Sequence, residues 1–223
     1  MAKPADTEPA ASTTLARYWI VAVVRAAIAA VAALVVTFSA DHSAPVGLTV
    51  FGCFGIVTGV VIAGHALVWF RGDRVATWSF VVQGIVTVAA AIVALIFAAS
   101  GTQLPALYAT VIAWGLISGA LELYSGFRAR RSAIMRPVSR DWMTVGAITV
   151  LLAVTFLLVP PGLNQQLGGV EQVQGVLTSS IILVGVFGAY AAIVAVYLTI
   201  GGLSLKWSSD PRRSISTPAG NHS

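Results

Sequence analysis

Four polar side chains interrupt runs that are otherwise almost wholly apolar: Arg25, His65, Gln83 and Glu122. Each stands close to a basic residue that bounds its run. Arg25 is eight residues beyond Arg17, His65 six before Arg71, Gln83 nine beyond Arg74 and Glu122 six before Arg128. On helices rising 1.5 Å per residue, this spacing puts all four at one level, roughly 9–14 Å in from the basic end. Thr149 and Tyr197 fall at a similar level on later runs. A layer of this kind can do two sorts of chemistry. It can lock helices together through an ion pair and hydrogen bonds, or it can serve a small proton-linked transporter or channel with its polar site around Glu122. Arg25 has a stem long enough to snorkel toward headgroups, whereas Glu122 does not, which makes Glu122 the sharper candidate. A structural layer is the simpler of the two readings.

Other chemistry is sparse. The chain contains no phosphate-binding P-loop, no His-Glu-x-x-His and no Gly-x-Ser-x-Gly elbow. The expectation is a protein that is not an enzyme, with no catalytic residue, no cofactor and no metal. The lone Cys53 excludes an intramolecular disulfide and a cysteine-based zinc site, and reads as a small buried hydrophobe. His42 lies beside Asp41 in a loop, and a free imidazole titrates near pH 6.5, so the pair could sense acidity. Two solvated loop residues are the simpler reading. Small residues recur at helical spacing: Gly52, Gly55 and Gly59, then Gly115 and Gly119, then Gly185 with Ala189. Such faces let helix backbones approach closely, and Gly55, Gly59, Gly115, Gly119 and Gly185 are the candidate packing positions. A homo-oligomer or membrane subunit packed through these faces is an alternative use for them.

The elements that must carry these residues follow from composition. Charged residues make up 9% of the 223 and apolar ones 57%, with a mean hydropathy of +0.89. Soluble proteins carry roughly 25% charge. A chain this poor in charge could not cover a water-facing surface, which excludes a cytosolic enzyme, a nucleic-acid-binding domain and a disordered regulator. The partner to expect is the lipid bilayer; any small-molecule or ion ligand is unknown. Six apolar runs span residues 18–38, 46–70, 76–100, 104–127, 142–159 and 177–205. Each can cross a hydrocarbon core of about 30 Å, and each must be helical because its backbone has to satisfy itself in lipid. The expected fold is therefore an all-α integral membrane protein of six transmembrane helices.

Basic residues set its orientation. Lys3 and Arg17, Arg71 and Arg74, the cluster Arg128, Arg130, Arg131, Arg136 and Arg140, and finally Lys206, Arg212 and Arg213 all fall on one side. The loops around Asp41, Thr102 and Glu171 carry neither Lys nor Arg. By the positive-inside rule both termini are expected in the cytoplasm, and the net charge of +5 reflects topology rather than nucleic-acid binding. The loop from Arg128 to Asp141 could also attract anionic lipid, although topology alone accounts for it. Arg25 and the poor cleavage site at Ser39 and Ala40 argue for an uncleaved first helix. Residues 1–16 and 208–223 read as disordered cytoplasmic tails flanking a membrane domain over 17–207. The glycosylation-like Asn221, His222 and Ser223 would not meet that machinery in the cytoplasm.

A longer period is also visible. Arg17, Tyr18 and Trp19, then Arg74 and Trp78, then Arg140 and Trp142 open the odd runs, with the tryptophans roughly 60 residues apart. The even runs close with Trp69, Phe70 and Arg71, with Phe127 and Arg128, and with Lys206 and Trp207. These read as interfacial anchors in three tandem hairpins, about 17–71, 74–131 and 140–207. Together with the stretch from Trp114 through Gly115, Gly119 and Glu122 to Arg128, the pattern resembles the HdeD acid-resistance membrane protein family. That family is built from a short duplicated membrane repeat, with a Gly-rich second helix ending in Arg and a Pro near the outer end of the first; Pro105, Pro160 and Pro161 fit that feature loosely. The first hairpin departs most, with Arg25 where the third helix has Gly84. The resemblance implies a bacterial inner-membrane protein linked to acid or envelope stress. It brings no catalytic residues.

Overall fold

Apolar runs of this length bury their backbone polarity only by forming helices, and six form among the described residues. They are α1 (Glu8–Phe38), α2 (Ala44–Trp69), α3 (Arg74–Ala98), α4 (Gln103–Ala129), α5 (Arg136–Leu158) and α6 (Ser179–Ser208). The computed structural model describes residues 8–69, 74–131, 135–167 and 175–208. Lys3, Arg71, Ser132, Glu171, most of the C-terminal tail and Asn221, His222 and Ser223 lie outside the described residues. All six helices are long and apolar enough to cross a membrane. Pro45, Pro105 and Pro137 stand in the first turns of α2, α4 and α5, where a missing N–H costs the helix nothing. Pro105 thus opens the second helix of its hairpin, while Pro160 follows the extended Val159 that ends α5.

Two boundaries differ from expectation. The helix α1 reaches back to Glu8, ten residues before its apolar span, so the expected tail is partly helical. Between α5 and α6 the chain forms an antiparallel pair, β1 (Asn164–Leu167) with β2 (Gly175–Thr178), in the register Asn164 opposite Thr178. Leu177 and Thr178 therefore pair as strand rather than starting α6. Ser179 secures the base of this hairpin. Its hydroxyl donates to the Pro160 and Pro161 carbonyls at 2.8 and 3.0 Å and accepts from the Leu163 N–H at 3.1 Å.

The helices close into a ring with a three-fold pattern. The most extensive packing joins α2 to α3, α4 to α5 and α1 to α6, so the intimate pairs cross from one sequence hairpin to the next. Small residues make these pairs possible. A Cβ added at Gly59 would lie 2.7 Å from the Gly84 carbonyl oxygen, and one at Gly119 would lie 2.9 Å from that of Gly146. The α1–α6 contact closes at Gly188 against Val36 and at Gly202 against the Trp19 carbonyl. Gly55 and Gly115 pack on Ala91 and Ala153. The glycine faces are thus used between helices of one chain. Gly185 does not join them: it is exposed and an added Cβ would meet nothing within 4 Å, because Gly188, three residues on, faces α1 instead.

The even helices meet at the centre. Phe51 and Phe54 of α2, Trp114 of α4 and Phe187 and Tyr190 of α6 interlock, mostly edge to face, with ring centroids 5.1–6.3 Å apart. A common pattern recurs there: an aromatic, a small residue, and a second small residue four further on. Phe54, Gly55 and Gly59 match Trp114, Gly115 and Gly119, and then Tyr190, Ala191 and Ala195. The outer faces carry Val31, Leu34, Ile85, Ile96, Leu157, Val196 and Ile200, which lipid satisfies as well as a core would. Cys53 is among the exposed residues rather than buried, since an outward thiol in lipid bears no desolvation cost.

Candidate functional site

The Glu122 side chain lies on the buried stripe of α4, in line with Gly115, Ser118, Gly119 and Gly126. The glycines of that stripe pack on α5, against Ala153, Val150 and Met143, while the carboxylate takes its partners from two other helices. From α1, Arg25 follows the buried Ala22 and precedes Ala26 and Ala29, a face with room for a guanidinium. From α3, Gln83 stands beside Gly84, the residue that meets Gly59. The result is a three-helix junction. Arg25 Nη1 donates to Glu122 Oε1 at 2.9 Å, and Gln83 Nε2 donates to Glu122 Oε2 at 3.2 Å. Glu122 is 1% exposed, Gln83 2% and Arg25 9%. Each carboxylate oxygen therefore has a donor, and the charge has a partner, as a buried carboxylate requires.

A further shell holds the junction. The Thr87 hydroxyl donates to the Gln83 carbonyl at 2.7 Å and accepts from the Trp114 indole N–H at 3.1 Å. Thr149 and Tyr190 share a hydrogen bond of 3.0 Å. All of these side chains, with Thr58 and Ser118, line a small cavity of about 10 Å³. That is room for about one water molecule. Thr58 Oγ1 and Gln83 Oε1 are buried there without a hydrogen-bond partner among the described residues.

The structure separates residues that share a depth. Arg25, Gln83 and Glu122 meet. His65 stands apart, its ring edge-on to Tyr18 at 5.9 Å, in a second small cavity that also touches Arg25. Tyr197 donates to Asp141 Oδ1 at 3.2 Å and ties α6 to α5. Two expected anchors are also internal: Tyr18 and Trp142 are buried, and the Trp142 indole donates to the Tyr18 hydroxyl. Trp78 and Trp207 do face outward, and Lys206 Nζ lies 4.9 Å from the Trp19 ring centroid. Asp41 does not pair with His42; its carboxylate accepts from the Ser43 N–H and hydroxyl at the start of α2.

Sequence reasoning did not find Thr58, Thr87, Trp114 or Tyr190. A signal existed for two of them. Thr87 is four residues after Gln83 and Trp114 eight before Glu122, so each shares a helix face with a residue already singled out.

Fold and site together define the class: an all-α, multi-pass membrane protein with a buried polar layer inside its bundle. Comparison with protein-family models, curated proteins and solved structures finds no match for the chain.

Proposed function

We propose that this chain is a non-enzymatic protein of the bacterial cytoplasmic membrane, of the HdeD type, with both termini inside and a role in acid or envelope stress. In this reading the Arg25–Gln83–Glu122 layer is a structural lock. The observation that carries it is the occupancy of Glu122: both oxygens are bonded, and the adjoining space is no larger than about 10 Å³. A transported solute would need a wider and more open path. One observation favours a second reading, a proton-linked site. Thr58 Oγ1 and Gln83 Oε1 line the same cavity as Glu122 and could hold a water beside it.

Acid challenge distinguishes the two readings. A strain lacking the protein should survive acid less well than its parent, and a Glu122→Gln, Arg25→Gln double variant, which keeps a neutral hydrogen-bonded layer, should restore survival. Liposomes holding the wild-type protein should show no proton flux above empty liposomes. Flux that Glu122→Gln abolishes would replace the lock with the proton site.

The orientation has its own test. After replacement of Cys53, single cysteines at Thr102 and Gln165, both exposed, should label with an impermeant thiol reagent added outside intact cells. A cysteine at Arg131 should label only after lysis. The opposite pattern would invert the topology.

A further inference from the structure

At the basic end of the bundle α3, α4 and α5 leave a pocket of about 320 Å³, separate from the Glu122 layer. Ser79, Ser125, Arg128 and Arg131 supply its polar wall and Trp142 and Met135 its apolar one, and no Asp or Glu is among the described residues that line it. Ser125 is 4% exposed, and its hydroxyl is buried with no hydrogen-bond partner among the described residues. A buried hydroxyl left without a partner is costly, so it points to a group that the pocket normally receives. The Arg131 guanidinium and the Ser79 and Ser125 hydroxyls match the oxygens of a phosphate. The surrounding surface suits a membrane source. Trp78 of α3 and Phe127 of α4 face outward near the basic ends of their helices, and exposed aromatics beside basic residues are characteristic of the headgroup level.

We propose that this pocket binds an anionic phosphate group, supplied by a phospholipid headgroup or by free phosphate, between Ser125 and Arg131. The apolar wall provided by Trp142 and Met135 would take the carbon part of a headgroup. The site does not depend on how the Glu122 layer works.

The test uses the purified full chain in a neutral detergent, with thermal unfolding measured against three probes: dioctanoyl phosphatidylglycerol, dioctanoyl phosphatidylcholine and inorganic phosphate. Phosphatidylglycerol should raise the unfolding temperature saturably and phosphatidylcholine should not. Ser125→Ala and Arg131→Gln should each weaken the apparent affinity by about tenfold. Arg140→Gln, an exposed position outside the pocket, should leave it unchanged. A response to phosphatidylglycerol alone assigns the site to lipid; a response to inorganic phosphate with the same sensitivity to Ser125→Ala assigns it to the free anion. The proposal is overturned if neither anion acts saturably, if phosphatidylcholine acts equally, or if Arg140→Gln weakens binding as much as Arg131→Gln. Ser125→Ala removes one oxygen from the pocket, so it remains informative should Arg131→Gln prove unstable.

Discussion

Glu122→Gln and Arg25→Gln should each destabilise the purified protein, by about 3–5 kcal/mol, and the double variant should recover much of the loss. The two groups touch at 2.9 Å with almost no solvent access, which makes each the other's main compensation for leaving water. Attraction between opposite charges is far stronger in such a medium than in water. Desolvation offsets much of it, so the pair adds little relative to neutral residues that fill the same space. Removing one partner is different, because the remaining charge stays buried. Gln83→Leu should cost less, about 1–3 kcal/mol, since it removes one neutral donor from Glu122 Oε2 and leaves the ion pair intact. Unfolding in detergent would measure all four variants. Additive losses in the double variant would mean that the charges do not compensate one another. A stable Glu122→Gln alone would favour the proton-linked reading.

The second large effect is expected at the crossing of α2 and α3. A Cβ on Gly84 would lie 2.6 Å from the Gly59 carbonyl oxygen and 2.9 Å from the Ala63 nitrogen. Both are backbone atoms, which cannot turn aside as a side chain can. The helices would have to separate, and the hydrogen bond from Gln83 to Glu122, one residue away, would lengthen with them. Gly84→Ala should therefore cost about 1–3 kcal/mol, and Gly84→Leu more. Gly119→Leu should behave likewise against the Gly146 carbonyl, and more severely than Leu116→Ala on the exposed face. Gly185→Ala is the control. It meets open space, and the better helix propensity of Ala should leave stability equal or raised by up to about 1 kcal/mol. Equal behaviour of Gly84→Ala and Gly185→Ala in detergent unfolding would sink the close-packed crossing.

Depth was the most informative quantity in the site that the sequence offered. A constant rise per residue converts position along a helix into height in the membrane, so Arg25, Gln83 and Glu122 could be placed at one level without coordinates. Rise does not give the direction in which a helix faces its neighbours. His65 and Tyr197 had similar claims by height, and they belong to other contacts because their helices turn them toward Tyr18 and Asp141. The same ambiguity affected the aromatic residues near the basic ends. Trp78 and Trp142 occupy matching positions in the repeat, yet one faces outward and the other is buried against Tyr18 and Phe80.

Composition and the six apolar runs determined that the chain is an all-α membrane protein of six helices, because hydrocarbon leaves an apolar backbone run no other way to satisfy its N–H and C=O groups. Spacing along the chain determined the three-fold repeat and the height of the polar layer. The tertiary structure decided which helices pair. The glycines of one hairpin meet the small residues of the next, and α1 closes the ring on α6, a contact between the two ends of the sequence that no local pattern encodes. It also decided that Pro160, Leu163 and Ser179 would tie down a β-hairpin, since strand pairing depends on what lies opposite. Above all it decided that one carboxylate receives both Arg25 and Gln83, because only the packed bundle brings three helix faces to one point.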